Sequence, residues 1–163
     1  MQFNILGGFI MKKIVLTVVS ILALGVGTGF AAPINNLNQG QTAIGVSDQT
    51  LYIQHKLSNN FTLGLDENDV YGQVGLGNNI RGIIGSKDYN GSQLYLGVGV
   101  NTSLAPSLDG YASIIGANDF KEAQVGANYN LTNNLDLNVN YRSFMPDQGN
   151  NSNRTSVGAA YKF

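Results

Sequence analysis

Thr155-Ser156-Val157-Gly158-Ala159-Ala160-Tyr161-Lys162-Phe163 repeats with a period of two. Counted back from Phe163, the residues Tyr161, Ala159 and Val157 form one apolar series, and Lys162, Ala160, Gly158 and Ser156 between them are small or polar. Successive side chains of a β-strand point to opposite faces, so the stretch is a strand with one greasy face and one narrow, wet face. Its fold follows from what the rest of the chain can pair with it.

The same alternation runs upstream. Between Lys121 and Leu131, the residues Ala123, Val125, Ala127, Tyr129 and Leu131 oppose Glu122, Gln124, Gly126, Asn128 and Asn130. Leu135, Leu137, Val139 and Tyr141 oppose Asp136, Asn138, Asn140 and Arg142, and Leu94, Leu96, Val98 and Val100 oppose Gln93, Tyr95, Gly97 and Gly99. Less regular strands are predicted at Thr42 to Val46, Thr50 to Leu57, Phe61 to Asp66, Val70 to Leu76, Ile80 to Ser86 and Leu108 to Ala117. In the last two, apolar residues stand in both phases (Ile83 beside Ile84, Ile114 beside Ile115), which leaves their facing open. Short Asn-rich breaks at Ser58 to Asn60, Gly77 to Asn79 and Thr132 to Asn134 suit tight hairpins, because Asn tolerates positive φ. With Thr102 to Ser107 they form one set of turns. The opposite set is Ser47 to Gln49, Glu67 to Asp69, Lys87 to Gly91, Asn118 to Phe120 and Pro146 to Arg154. The count is ten strands, with both ends of the sheet-forming chain on the side of the short turns. Several strands are shorter than the 9–11 residues or so that a tilted spanning strand needs, so eight strands is the alternative.

Alternation alone does not separate a soluble sandwich from a membrane barrel. Here the polar faces carry Asn, Gln, Gly and Ser with few Lys or Glu, and tyrosines (Tyr129, Tyr141, Tyr161) recur towards the ends of apolar faces, where a headgroup girdle would hold them. Only a closed sheet hides every backbone edge in hydrocarbon. The expected fold is therefore all-β: a closed, antiparallel, up-and-down transmembrane β-barrel.

The final strand resembles the C-terminal strand of bacterial outer-membrane β-barrels. In that family the terminal Phe and the alternating apolar residues before it form the signal read by the barrel-assembly machinery. Carried over, Val157, Ala159, Tyr161 and Phe163 become the assembly signal. The whole alternating region is similar to small barrels of the OmpA or OmpX type, without the periplasmic domain that OmpA-type proteins append. The resemblance implies the cell outer membrane of a Gram-negative-type envelope as location, lipid as surroundings and a monomer as the working state.

Composition is consistent with export. There are 163 residues, enough for one domain; charged residues make up 12% and the formal net charge is -1, which offers no basic surface for nucleic acid. Cysteine is absent, which removes disulfides and thiolate metal sites. Met11-Lys12-Lys13 reads as a positive n-region, Ile14 to Gly29 as the apolar helix of a signal peptide, and Gly29-Phe30-Ala31 as a cleavage site after Ala31. The nearly uncharged Met1 to Ile10 places the true start at Met11. Ile14 to Ala32 is also long enough for an uncleaved anchor. The expected division is 1-31 as upstream residues plus signal peptide and 32-163 as the barrel, with Ala32 to Gly40 as a periplasmic lead-in.

Chemistry finds few residues to work with. The single histidine, His55, shares the phase of Leu51, Ile53 and Leu57, the wrong face for surface catalysis. Asp66, Glu67 and Asp69 lack the spacing of a calcium loop. Gly72, Gly75 and Gly77 lie in a strand with no helix after it, unlike a dinucleotide fingerprint. No catalytic residue, metal site or cofactor is expected. The inward face instead gathers Lys56, Asp66, Arg81, Glu122, Asp136, Arg142 and Lys162 as a polar network of mixed sign. A barrel this small is just wide enough for its own side chains. Three readings remain: a plugged structural barrel, a narrow porin-like channel, or a surface-interaction protein acting through its extracellular loops.

Overall fold

A computed structural model describes residues 32–47 and 50–163. The expected leader, its cleavage site at Ala31 and part of the Ser47 to Gln49 connection lie outside the described residues. Ten antiparallel strands follow in order: β1 (Thr42–Ser47), β2 (Thr50–Ser58), β3 (Phe61–Asp66), β4 (Asp69–Gly77), β5 (Ile80–Asp88), β6 (Ser92–Ala105), β7 (Leu108–Gly116), β8 (Phe120–Asn130), β9 (Leu135–Pro146) and β10 (Ser152–Lys162). Each pairs with its neighbours in sequence, and β1 pairs with β10 to close the barrel. The eight-stranded alternative is excluded.

Closure runs through five register pairs, from Ala43 opposite Lys162 to Ser47 opposite Gly158. Thr42 and Phe163 add a reciprocal pair of backbone hydrogen bonds at 2.8 and 2.9 Å. β10, which carries Thr155 to Lys162, is therefore the closing strand, and the closed sheet leaves no edge for another chain to pair with.

Turn chemistry accounts for the connections at one end. Asn78 and Asn79 have φ of 48° and 66° between β4 and β5, the pair of positive values that a two-residue hairpin of matching twist requires. Between β6 and β7 the turn is tighter than the six residues expected, because β6 runs on to Ala105 and Ser107 takes a φ of 65°. This turn end also holds the Gly40 and Phe163 ends of the sheet. At the opposite, loop end, strands extend further than the sequence suggests. Asp69, Lys87, Phe120 and Pro146 belong to strands rather than to loops.

Facing is inverted relative to a soluble protein. Leu94 at 78% exposure, Leu96, Val98, Val100, Ile114, Val125, Leu137, Val139, Tyr141 and Val157 all point outward. Asp88 and Lys121, the charged residues in the outward phase of β5 and β8, stand at the loop ends of those strands. Inside are Gln54, Gln73, Glu122, Asn128, Asp136, Asn138 and Arg142, all buried. The ambiguous strands resolve with Ile83 and Ile115 inward and Ile84 and Ile114 outward.

Candidate functional site in the barrel lumen

The lumen is filled from the turn end by the chain itself. Residues 32–40, expected as a lead-in outside the barrel, enter it instead. Gly40 is held at the turn mouth by a 2.8 Å bond from its N–H to the Lys56 carbonyl. From there the segment reaches inward, burying Pro33, Ile34, Asn35 and Leu37. An irregular backbone inside a barrel must find partners for its polar groups, and the inward amides provide them. Gln54 donates to the Pro33 carbonyl at 2.8 Å, and Asn128 donates to the Ile34 carbonyl at 2.8 Å. Asn35 donates to Gln54 Oε1 at 3.0 Å and to the Tyr52 hydroxyl at 3.3 Å. The Ile34 side chain lies beside Gly99 and Ile83, where the absence of a Cβ on Gly99 leaves it room. The apolar inward phase of β5 and β7 is thus explained: Ile83 and Ile115 line the same space as Ile34.

The network continues across the wall. Asn138 donates to Asn128 Oδ1 at 2.7 Å and to the Tyr111 hydroxyl at 3.0 Å, and Asn140 donates to Asn138 Oδ1 at 2.9 Å. Gln54 Nε2 also reaches the Tyr71 hydroxyl at 2.6 Å. Four inward tyrosines share one device. Tyr52, Tyr71, Tyr95 and Tyr111 each stand opposite a glycine on the adjacent strand, respectively Gly45, Gly64, Gly85 and Gly126. Each ring occupies the space a Cβ on that glycine would need.

Above the inserted segment, towards the loop end, lies a charged layer. Lys87 Nζ is 3.1 Å from Glu122 Oε2 and 4.0 Å from Asp69 Oδ2, and Arg142 Nη1 is 3.7 Å from Glu122 Oε2. The Tyr95 hydroxyl donates to Asp69 at 2.8 Å, and Asp66, also buried, ends β3 and accepts from the Asn68 N–H at 2.9 Å. Phe120, fully buried, then closes the top with Phe144 and Tyr89, at ring-centroid separations of 5.2 and 5.7 Å. Lys87 and Arg142 also lie under this lid, 5.9 Å from the Phe120 ring and 5.5 Å from the Phe144 ring.

The residues proposed from sequence fall into three places. Glu122 and Arg142 meet in the charged layer, and Asp66 is buried at the loop end of β3. Asp136 and Lys162 pair at 2.9 Å near the turn end, beside an open cavity of about 590 Å³ that Asp109 and Asn130 also line. Arg81 donates to Gln73 and Asn101 at 3.0 Å each, and with Lys56 it lines a second turn-end cavity of about 270 Å³. Asp69 and Lys87 were missed because a charged residue beside a turn reads as loop. The signal that could have placed them is phase, since Asp69 is in step with Tyr71 and Gln73, and Lys87 with Ile83 and Gly85. His55 faces outward at the turn end and shares a 2.8 Å hydrogen bond with Thr42.

No family model matches the sequence, and no curated protein does. Solved structures with a similar arrangement include a de novo designed transmembrane β-barrel (20% identity, TM-score 0.43, covering 78% of this chain and 98% of that one). Neisserial surface protein A is similar at 12% identity and a TM-score of 0.40, over 76% of this chain and 92% of that one. Ail, the attachment invasion locus protein of Yersinia pestis, is similar at 11% identity and a TM-score of 0.37, over 77% of this chain and all of that one.

Proposed function

We propose that this chain is a monomeric barrel of the outer membrane whose lumen is closed, so that it acts as a structural element of the envelope rather than as an open pore. The membrane reading is supported by the inverted facing. A wall apolar outside and hydrogen-bonded inside would expose far more contiguous apolar surface to water than soluble monomers do, whereas in hydrocarbon it satisfies every backbone group. The lack of a free sheet edge supports the monomer. The outward, half-exposed ring of Phe163, stacked on Tyr161 at 6.2 Å, supports an assembly signal that partner machinery can reach.

The filling of the lumen from both ends is the observation that supports the structural role. From the turn end, residues 33–37 occupy the lumen. From the loop end, Phe120, Phe144 and Tyr89 cover the charged layer. The remaining turn-end cavities are vestibules to this plug. The reading includes no catalytic role and no cofactor. His55 is directed away from the lumen, and the buried carboxylates of Asp69, Glu122 and Asp136 are engaged with Lys87, Arg142 and Lys162.

Fractionation of cells expressing the full chain should place it in the outer membrane, with heat-modifiable migration on gels; recovery in the soluble periplasm would overturn the location. Purified protein in planar bilayers should show no steady conductance. Regular small steps would overturn closure and favour the narrow channel.

A further inference from the structure

We infer that the smaller turn-end cavity is a binding site for a phosphate group, as free phosphate or as the headgroup of an anionic phospholipid, held by Lys56 and Arg81. The inference adds a ligand to the barrel and does not depend on whether the lumen conducts.

Four strands build the cavity. Lys56 on β2 is in register with Thr62 on β3, and Thr62 with Gln73 on β4. Arg81 on β5 stands opposite Gly75. The inward phase of β4 runs Asp69, Tyr71, Gln73 and then Gly75, so its side chains stop short of the turn. A Cβ at Gly75 would meet only ordinary contacts with Asn60, so the packing does not demand a glycine there. The space left open is the cavity of about 270 Å³, far above the roughly 10–15 Å³ that one water needs.

Charge in this cavity is one-sided. Arg81 donates through Nε to Asn101 Oδ1 and through Nη1 to Gln73 Oε1, at 3.0 Å each. Both acceptors are neutral amides, which hold the guanidinium in place without cancelling its charge. A guanidinium has five N–H donors, so Nη2 keeps both of its own for a ligand. Lys56 shares the lining and has no hydrogen-bond or ion-pair partner among the described residues. The described lining includes no carboxylate. Lys87, Arg142 and Lys162, in contrast, each pair with one.

That contrast points to an anion. Two cations with only neutral neighbours repel each other, and an oxyanion beside both replaces the repulsion with attraction. Arg binds phosphate through paired N–H groups and Lys binds it as a point charge. Six asparagines complete the lining and offer amide donors to the remaining oxygens. One of them, Asn36, belongs to the inserted segment, so the site is shared between plug and wall. The larger turn-end cavity carries Asp109, whose charge steers an anion to the smaller one. The turn end of a spanning barrel meets both water and lipid headgroups, which gives this one chemistry two sources.

The test uses the full protein, purified from the outer membrane, labelled with ¹⁵N and held in a detergent without phosphate. Heat-modifiable migration of each variant first establishes a closed barrel, which separates failure here from failure of the barrel reading. Sodium phosphate, exchanged for sodium chloride at fixed ionic strength, should move the Arg81 Nε–H signal along a saturable curve. Lys56→Met should weaken the affinity about tenfold or more, the loss of one charge-assisted hydrogen bond. Lys121→Met removes an outward charge at the loop end and should leave the affinity unchanged. Equal weakening by the two variants, or a shift that never saturates, would overturn the inference. Lys56→Met should also keep the urea midpoint of phosphate-free protein; a lowered midpoint with an unchanged phosphate response would make Lys56 a structural cation and overturn it too. Bilayer discs separate the sources. For a lipid headgroup, the Arg81 signal is already displaced in phosphatidylglycerol discs and no longer answers to phosphate. For free phosphate, it titrates alike in phosphatidylglycerol and phosphatidylcholine discs. No response in detergent and no displacement in either disc would overturn the inference.

Discussion

The ring of Tyr95 fills the space above Gly85, its register partner on β5, and its hydroxyl donates to both carboxylate oxygens of Asp69 at 2.8 and 2.9 Å. One aromatic residue thus seals the wall on one strand and anchors a buried carboxylate on another. The glycine is needed for space rather than for backbone freedom. A Cβ at Gly85 would overlap the Tyr95 ring.

Gly85→Ala is expected to destabilise the barrel by about 1–3 kcal/mol, the usual range for overpacking a tight interior. Urea titration of detergent-refolded protein checks this. Gly82→Ala on the same strand is the control, because a Cβ at Gly82 meets only ordinary contacts with Leu76 and the Val74 carbonyl. Equal effects at the two positions would show that the Tyr–Gly device carries no energetic weight.

Strand order and facing were legible where the alternation is strict, as in β8 and β9. The facing of β5 and β7 was not, because Ile83 and Ile115 are apolar residues on the inner wall. They are tolerated there because Ile34 of the inserted segment gives them an apolar partner. That insertion was itself hidden. Residues 32–40 have no periodicity, since their backbone bonds to inward side chains such as Gln54 and Asn128 rather than to a ladder. The trace left in the sequence is Ile34 and Leu37, two apolar residues in a stretch otherwise rich in Asn. Part of the charged layer was lost for a different reason, as Asp69 and Lys87 stand where strands meet loops and only their phase turns them inward.

Lys162 and Asp136 should behave as a buried pair rather than a surface one. Lys162→Met or Asp136→Leu alone leaves the other charge buried, with an expected loss of about 3–5 kcal/mol. The double variant Asp136→Leu/Lys162→Met leaves no orphan charge and should recover much of that loss. Four urea curves measure the cycle. Additive losses would mean that the cavity beside Lys162 lets water solvate each charge separately.

Phe163→Ala should impair assembly in cells more than it impairs the finished fold. The residue is 53% exposed and its ring stacks on Tyr161, so its truncation removes little buried surface. The reciprocal backbone bonds with Thr42 do not depend on the side chain. Outer-membrane yield should fall, while the urea midpoint of protein refolded in vitro changes little. Normal yield together with a large midpoint shift would reverse the assignment of this residue from signal to structure.

Closure by two independent layers predicts a graded response in planar bilayers. The intact chain should be silent. Deleting residues 33–37 removes the segment that fills the middle of the lumen, yet Phe120 and Phe144 still cover the charged layer, so only brief or small openings are expected. Replacing both aromatics by Ala in the deleted chain uncovers Lys87, Glu122 and Arg142 and should give sustained steps. Inward charges of a barrel tune selectivity, so Glu122→Gln in that open form should shift ion preference towards anions. The double aromatic variant with the inserted segment intact should stay closed. If it conducts as well as the doubly opened form, residues 33–37 do not seal the lumen, and the aromatic lid alone is the closure.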